Sequence, residues 1–257
     1  MYESKIMPEH YSYAKYIKEL LTLCNKHKIK FKIIGYEKYE KIDMSYPIYH
    51  IIINPNAKID FCICAGVQAY EIAGPLTILH LLQTPQKYFN RKIRYHIFPL
   101  INPTSFDLRQ RFDDDNRDLN TITKQTLKSK NYREVQAFIR DIGKKYSDAF
   151  LSLHEDNDER RFYAYVFEKA IEPVYRKIIN QIGKHNKILD QKLIYGDKSQ
   201  AEGLIINEHD RSFEDYLFTH KQAGISICTE TPGKLALNKR ISMNTQVIML
   251  LTKFLLK

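Results

Sequence analysis

Phe61-Cys-Ile-Cys-Ala-Gly-Val67 is an unbroken apolar run, and Leu76, Leu79 and Leu82 follow it at helical spacing. The run predicts a buried strand, and the three leucines predict an amphipathic helix that begins shortly after it. Pro75 is compatible with the first turn of this helix, where the missing N–H has little cost. A strand that leads into a helix is the repeating unit of α/β folds.

The same alternation extends along the chain. Apolar runs predict further strands over residues 31–36, 49–53, 95–101, 149–154 and 225–229, and helical spacing predicts helices over 13–24, 132–146, 164–184 and from 242 onward. This order predicts an α/β fold with a mixed, largely parallel central sheet and helices on both faces. Since no internal repeat, low-complexity tract or Gly/Ser linker interrupts it, residues 1–257 are interpreted as a single domain.

The distribution of charge argues against two classes of partner. The chain has 40 lysine and arginine residues against 30 acidic residues, a formal net charge of +10, but the lysines are spread out. Such a spread is typical of a solvated surface and not of a nucleic-acid footprint. No stretch reaches the roughly 18 uncharged apolar residues of a membrane span. The chain as given is expected to be cytoplasmic, or periplasmic if an export signal has been removed.

The four cysteines lie in apolar segments: Cys24, Cys62, Cys64 and Cys228. A zinc cluster would require two C-x₂₋₄-C pairs, and this spacing is absent. The cysteines are therefore interpreted as buried, reduced thiols.

Polar side chains follow the ends of four predicted strands. Gln68 and Glu71 come after the 61–67 strand, His154 closes the 149–154 strand, Glu230 follows the 225–229 strand, and a polar stretch from Asn102 follows the 95–101 strand. Ligand sites in α/β sheets lie outside the carboxyl ends of the strands. We therefore expect these groups to meet at one edge of the sheet.

These residue types can hold a catalytic metal ion. Gln68 and Glu71 would share one face of a helical turn, and together with His154 they offer an amide oxygen, a carboxylate and an imidazole. Three protein ligands leave open the fourth position that a catalytic zinc requires. Glu230 is then the candidate general base, acting on a water whose pKa the ion lowers to roughly 7. Arg109 and Arg117, in the polar stretch, each offer a cation for a developing oxyanion, and a guanidinium can also bind a substrate carboxylate bidentately.

Several motifs resemble, in the same order and at similar spacing over the whole chain, those of the zinc carboxypeptidases and the related acyl-amino-acid amidohydrolases. Cys64-Ala-Gly-Val-Gln-Ala-Tyr-Glu-Ile-Ala-Gly74 is similar to the G-x-H-x-x-E segment, and Ser152-Leu-His154 is similar to the segment with the third zinc ligand. Ile101-Asn-Pro103 and Asp115-Asn-Arg-Asp-Leu-Asn120 resemble the substrate loop, and Thr229-Glu-Thr-Pro-Gly233 resembles the segment with the catalytic glutamate.

The resemblance implies a zinc carboxypeptidase-like fold and one Zn²⁺ ion per chain, held by Gln68, Glu71 and His154, with Glu230 as the general base. Most members have histidine where this chain has Gln68, and a neutral amide oxygen is a weaker ligand than imidazole. Some peptidoglycan-trimming carboxypeptidases of the family also have glutamine there. The substitution is thus compatible with activity.

The resemblance also assigns the substrate contacts. It implies that Asn116 and Arg117 bind the terminal carboxylate of a peptide, that Arg109 polarises the scissile carbonyl, and that Tyr216 lines the substrate site. Two of these assignments have an alternative in the same loop: Arg111 could stand in place of Arg109, and Asn120 could stand in place of Asn116.

The sequence therefore predicts a zinc-dependent carboxypeptidase that cleaves the C-terminal amide bond of a peptide with a free carboxylate, with a peptidoglycan stem peptide as one candidate substrate. One alternative is an amidohydrolase that removes the acyl group from an N-acyl amino acid. Another is a metal-free binding module that kept the fold, with Gln68 as the first ligand to be lost.

Overall fold

The computed structural model describes residues 11–39, 43–113, 116–128, 132–142, 147–169 and 174–257. The strands in these ranges are β1 (Lys30–Tyr39), β2 (Met44–Ile53), β3 (Ile59–Ala65), β4 (Ile93–Phe98), β5 (Ser147–Asp156), β6 (Tyr163–Phe167), β7 (Leu193–Ile194), β8 (Asp197–Lys198), β9 (Leu204–Ile206) and β10 (Ala223–Pro232). The helices are α1 (Tyr13–Lys26), α2 (Ala73–Gln83), α3 (Pro85–Tyr88), α4 (Pro103–Leu108), α5 (Lys124–Lys128), α6 (Arg133–Ile142), α7 (Val174–Gly183), α8 (Phe213–Thr219) and α9 (Leu237–Leu255).

Eight of the strands form one mixed sheet in the order β1-β2-β4-β3-β5-β10-β6-β9, and β7 and β8 form a separate two-stranded pair. The four central strands β4, β3, β5 and β10 are parallel to one another. The antiparallel pairs β1-β2, β2-β4 and β6-β10 flank this centre. The predicted mixed, largely parallel sheet is confirmed.

Helices cover both faces of the sheet. Phe61 and Ile63 of β3 belong to a core cluster that also contains side chains of α1, α2, α7 and α9. Cys62 and Cys64 of the same strand belong to a second cluster, which contains side chains of α6 and α8. Because alternate residues of a strand point to opposite faces, this explains why the whole 61–67 run is apolar.

The predicted helix over 164–184 is wrong at its start. Residues 164–167 belong to β6, where Ala164 pairs with Thr229 of β10, and α7 begins at Val174. The tyrosine, valine and phenylalanine content of this segment favours a strand. Residues 170–173 and 143–146, which the predicted helices included, lie outside the described residues.

Among the described helices, none combines the length and apolar character needed to cross a membrane.

The parallel register brings the predicted site segments to one edge. His154 of β5 lies beside Glu230 of β10, and Leu153 pairs with Ala65 at the end of β3. Gly74, in the first turn of α2, packs closely on β5: a Cβ there would lie 2.8 Å from the carbonyl oxygen of Leu153. The turn that leads from β3 to α2 is thus held against the end of β5.

Candidate metal centre

Two of the predicted metal ligands, Gln68 and His154, lie in contact with the third, Glu71. His154 Nδ1 is 2.9 Å from Glu71 Oε2, and the side-chain amide of Gln68 is 2.9 Å from Glu71 Oε1. All three side chains are buried, with exposed fractions of 5% for Gln68, 3% for Glu71 and 2% for His154. One carboxylate therefore joins an amide and an imidazole at the sheet edge.

The amide of Gln68 has two possible orientations, and they suit different states of the centre. With its nitrogen toward Glu71, it donates to Oε1 and its oxygen accepts from Arg111 Nη2 at 2.9 Å. With its oxygen toward Glu71, two acceptors face each other, which is the arrangement that a cation between them would stabilise. The first orientation satisfies the metal-free protein, and the second orientation fits a bound metal ion.

Glu71 is held in place from β5. The backbone N–H of Glu155 donates to Glu71 Oε2 at 3.1 Å. The Glu155 carboxylate accepts from the backbone N–H of Ala73 at 2.6 Å and forms an ion pair with Arg240 of α9. Burial raises the pKa of Glu155, and Arg240 acts against this rise. Glu155 therefore joins α2, β5 and α9 behind Glu71, the candidate metal ligand.

The two ring nitrogens of His154 have different surroundings. Burial acts to lower the pKa of His154. The adjacent Glu71 carboxylate raises this pKa by more, so that it lies at about 10. Nδ1 faces Glu71, whereas Nε2 is buried and has no hydrogen-bond partner among the described residues. Glu214 of α8 and Cys228 of β10 lie beside the ring: one ligand atom from each of the three residues lies within 4.8 Å of the others.

Glu230 lies between His154 and Tyr163 in the register of β10 with its two neighbours. Burial raises its pKa to about 8; His154 acts to lower it, whereas Glu71 and Asp156 add to the rise. Unlike the three buried ligands, Glu230 is partly exposed.

The structure brings Arg111, and not Arg109, to the candidate metal centre. Arg109 is exposed and ends α4 in a left-handed conformation, with φ of 53°. Arg111 Nη2 lies 2.9 Å from the Gln68 amide and 3.8 Å from Asp118 Oδ2. Burial acts to lower the pKa of Arg111, but Tyr70 and the nearby carboxylates raise it. The geometry therefore favours Arg111 over Arg109 for the role beside Gln68.

The predicted carboxylate-binding residues lie further along the same loop. Arg117 donates through Nε to the buried Asp113 carboxylate at 2.5 Å and lies over the ring of Tyr132. Asn116 is exposed, with φ of 61°. Asn120 has a buried amide oxygen without a hydrogen-bond partner in the described structure. Asp115, the first residue of the loop motif, lies outside the described residues.

Two residues of α8, Tyr216 and Glu214, also bear on the candidate site. Tyr216 of α8 is partly exposed and stacks on His220, with ring centroids 4.0 Å apart. Glu214, two residues earlier, is fully buried beside His154. Glu214 is not among the predicted site residues, because an acidic residue in a first helical turn is ordinarily explained by the helix dipole. The signal that could have identified it is its place between Phe213 and Leu217, on the apolar face of α8.

No protein-family model and no curated protein sequence matches this chain. Solved structures do match it. A protein of Shewanella amazonensis SB2B, provisionally described as a metallopeptidase, is 24% identical, with 94% of this chain and 92% of that chain covered and a TM-score of 0.79. A metallo-carboxypeptidase of Pseudomonas aeruginosa, in complex with (2-guanidinoethylmercapto)succinic acid, is 13% identical over 95% of this chain and 69% of that chain, with a TM-score of 0.66.

Bovine thrombin-activatable fibrinolysis inhibitor, in complex with tick carboxypeptidase inhibitor, is also similar: it is 13% identical over 96% of this chain and 98% of that chain, with a TM-score of 0.65. These similarities extend over nearly the whole of this chain. The chain therefore has the metallocarboxypeptidase fold, and the predicted fold class is confirmed.

Proposed function

We propose that this protein is a metal-dependent carboxypeptidase whose ion, most suitably zinc, is held by Gln68, Glu71 and His154. The observation that supports the proposal is that Gln68 and His154 each contact the Glu71 carboxylate, at the strand ends of a metallocarboxypeptidase fold. An imidazole nitrogen, a carboxylate and an amide oxygen form a donor set suited to zinc.

The buried centre fits a cation for a second reason. In the metal-free protein the proton on His154 supplies the positive charge next to Glu71, since Glu71 holds the pKa of His154 at about 10. A divalent ion can take the place of that proton. Bound there, the ion would supply Lewis acidity, which both polarises a carbonyl and makes water acidic enough to ionise near neutral pH.

Glu230 is proposed as the general base. Its carboxylate takes the proton of the attacking water and passes it to the amine nitrogen that leaves when the C–N bond breaks. The pKa of about 8 belongs to the protein without an ion. Positive charge in the centre would lower this pKa and leave the carboxylate ionised at neutral pH. Glu155 is not available for this role, because Ala73 and Arg240 occupy its oxygens.

Arg111 is proposed to stabilise the negative charge that develops on the carbonyl oxygen, since its guanidinium already lies beside Gln68. The proposed contacts for the substrate carboxylate come from the family resemblance: Asn116 and Arg117, with Tyr216 as a lining residue. Because Arg117 is held by Asp113, its guanidinium is fixed in orientation before a substrate arrives.

The proposed substrate is a peptide with a free terminal carboxylate, and a peptidoglycan stem peptide is one candidate. The test compares three compounds with the zinc-loaded protein: a free-acid peptide, the same peptide as a C-terminal amide, and an N-acyl amino acid. Release of the terminal residue from the free acid alone is the expected result. Equal cleavage of acid and amide would contradict a carboxypeptidase, and cleavage of the N-acyl amino acid alone would favour the amidohydrolase.

Metal analysis tests the centre itself. One zinc ion per chain is expected for the parent protein, and Glu71→Ala should lose it. Glu202→Ala is the matched control, because Glu202 is an exposed glutamate elsewhere on the chain. A parent protein that takes up no divalent ion would instead support the binding module.

A further inference from the structure

Glu214 is a buried carboxylate close to His154. Its side chain is fully buried, and neither of its carboxylate oxygens has a partner with hydrogen-bonding geometry among the described residues. Burial raises the pKa of Glu214, while His154 and the neighbouring Ser152 hydroxyl act against this rise. An unpartnered buried carboxylate is costly, so its position calls for a physical reason.

The group that faces this carboxylate is equally unsatisfied. Nε2 of His154 is buried and has no hydrogen-bond partner in the described structure. Atoms of His154, Glu214 and Cys228 lie within 4.8 Å of one another. Since Nδ1 already faces Glu71 at 2.9 Å, Nε2 is the ring nitrogen that remains for Glu214.

We propose that Glu214 is a positioning residue, which accepts a hydrogen bond from the Nε2–H of His154 and thereby aims Nδ1 at the metal ion. This inference rests on the proposed metal centre. A neutral imidazole has one N–H, and when Nε2 holds it the lone pair of Nδ1 is free to bind a metal. A carboxylate on the N–H side also makes the opposite nitrogen a stronger ligand.

Cys228 has a different part in the cluster. Its thiol donates to Glu230 Oε1 at 3.7 Å, so its hydrogen is already directed toward the candidate general base. A metal ion bound at His154, Glu214 and Cys228 would require that thiol to lose its proton in a buried, acidic environment. In the metal-free structure His154 and Glu214 form no hydrogen bond, so the proposed contact requires their atoms, now within 4.8 Å, to approach one another. The protonated thiol makes a second metal site at the same place the weaker alternative.

The experiment compares dissociation constants for Zn²⁺, measured by competition with a chelator at one fixed pH. Glu214→Ala should weaken binding by about 10- to 100-fold, the usual effect of losing such a partner. Glu214→Gln, which keeps the size and an acceptor but not the charge, should weaken it less, by roughly 3- to 10-fold. Cys228→Ala should leave it unchanged, as should Glu134→Gln, which alters a buried glutamate of α6.

A spectroscopic measurement on the parent protein gives an independent readout. Nitrogen-15 NMR of the zinc-loaded parent should show a slowly exchanging proton on Nε2 of His154, and this proton should exchange faster in Glu214→Gln. If Glu214→Ala does not fold, the role of Glu214 is tested by the zinc affinity of the nearly isosteric Glu214→Gln variant and by the exchange rate of the Nε2 proton.

Three results would overturn the inference. One is a folded Glu214→Gln protein with parental zinc affinity and parental proton exchange. Another is a loss of affinity in Cys228→Ala as large as that in Glu214→Ala, which would place the metal in the second cluster. If the parent itself binds no zinc, the proposed function fails first, which separates that failure from a failure of Glu214 alone.

Discussion

At the scale of single residues, Glu230 is the side chain whose chemistry can be tested most directly. Glu230→Gln keeps the size of the side chain but cannot accept a proton. Because a positioned proton-transfer group is worth roughly 10²–10⁴ in rate, kcat should fall by that factor while zinc content and KM stay near the parental values. Steady-state kinetics on the zinc-loaded proteins provide the measurement. A variant that turns over as fast as the parent would remove Glu230 from this role.

The two arginines of the loop provide a matched pair. Arg111 lies beside Gln68, and Arg109 is exposed at the end of α4. Arg111→Ala should therefore lower kcat by about 10²–10³, the usual cost of losing one oxyanion donor, with a small change in KM. Arg109→Ala should behave like the parent. The reverse outcome would return the oxyanion role to Arg109.

The candidate metal ligands could be predicted from the sequence, whereas the surrounding residues could not. Gln68, Glu71 and His154 follow strand ends, so the rule that sites lie at the carboxyl edge of the sheet was enough to group them. Which of Arg109 and Arg111 lies beside Gln68 depends on the path of an irregular loop. Such a loop has no repeating pattern of apolar residues from which its conformation could be predicted. Glu214 acts across the interface between α8 and the sheet, and sequence spacing does not report such contacts.

At the scale of elements, the close packing of α2 on β5 fixes the turn that holds Gln68 and Glu71. Gly74→Ala would place a Cβ 2.8 Å from the carbonyl oxygen of Leu153, so α2 must shift outward. We expect a loss of about 1–3 kcal/mol in the free energy of unfolding, together with weaker zinc binding, because Glu71 moves with the helix. Urea unfolding and chelator competition measure the two effects. Full stability with parental affinity would show that the helix accommodates a methyl group.

The elements themselves were predictable where a strand is buried on both faces. The 61–67 run and the 149–154 run were identified because their apolar character is continuous. The segment 164–167 was assigned to a helix because tertiary pairing with β10 decides its conformation, and an isolated sequence window does not include that partner. The short strands β7, β8 and β9 have two or three residues each and give too few positions for a pattern.

At the scale of the whole molecule, a second buried polar cluster lies within the fold, away from the metal ligands. His50 contacts Asp141 through Nδ1 at 2.5 Å and His96 through Nε2 at 3.0 Å, and His96 contacts Asp60 at 2.9 Å. Burial acts to raise the pKa of Asp141, but His50 and Lys32 outweigh it and lower the pKa to about 2. This cluster joins β2 and β4 to α6.

The low pKa of Asp141 predicts how stability depends on pH. Because the carboxyl group is more acidic in the folded protein than in the unfolded chain, it stabilises the fold above about pH 4, and this contribution is lost as the pH falls toward 2. Asp141→Asn should cost about 2 kcal/mol at pH 6 and almost nothing near pH 2. Urea unfolding across this range measures the difference. Asp158→Asn, at an exposed site, is the control, and a cost independent of pH would contradict the assignment.

Because the four cysteines are buried, the rate at which each thiol is alkylated can report how often its part of the structure opens. All four thiols are free, and none is more than 6% exposed, so an alkylating reagent can reach each one only when its surroundings open. Cys24 lies in α1, Cys62 and Cys64 lie at the centre of the sheet, and Cys228 lies beside the candidate metal centre. Pulse alkylation followed by mass spectrometry would time each region separately. Zinc should lengthen the lifetime of the Cys228 thiol far more than that of Cys24, since a ligand that binds the folded state suppresses the openings that break its site.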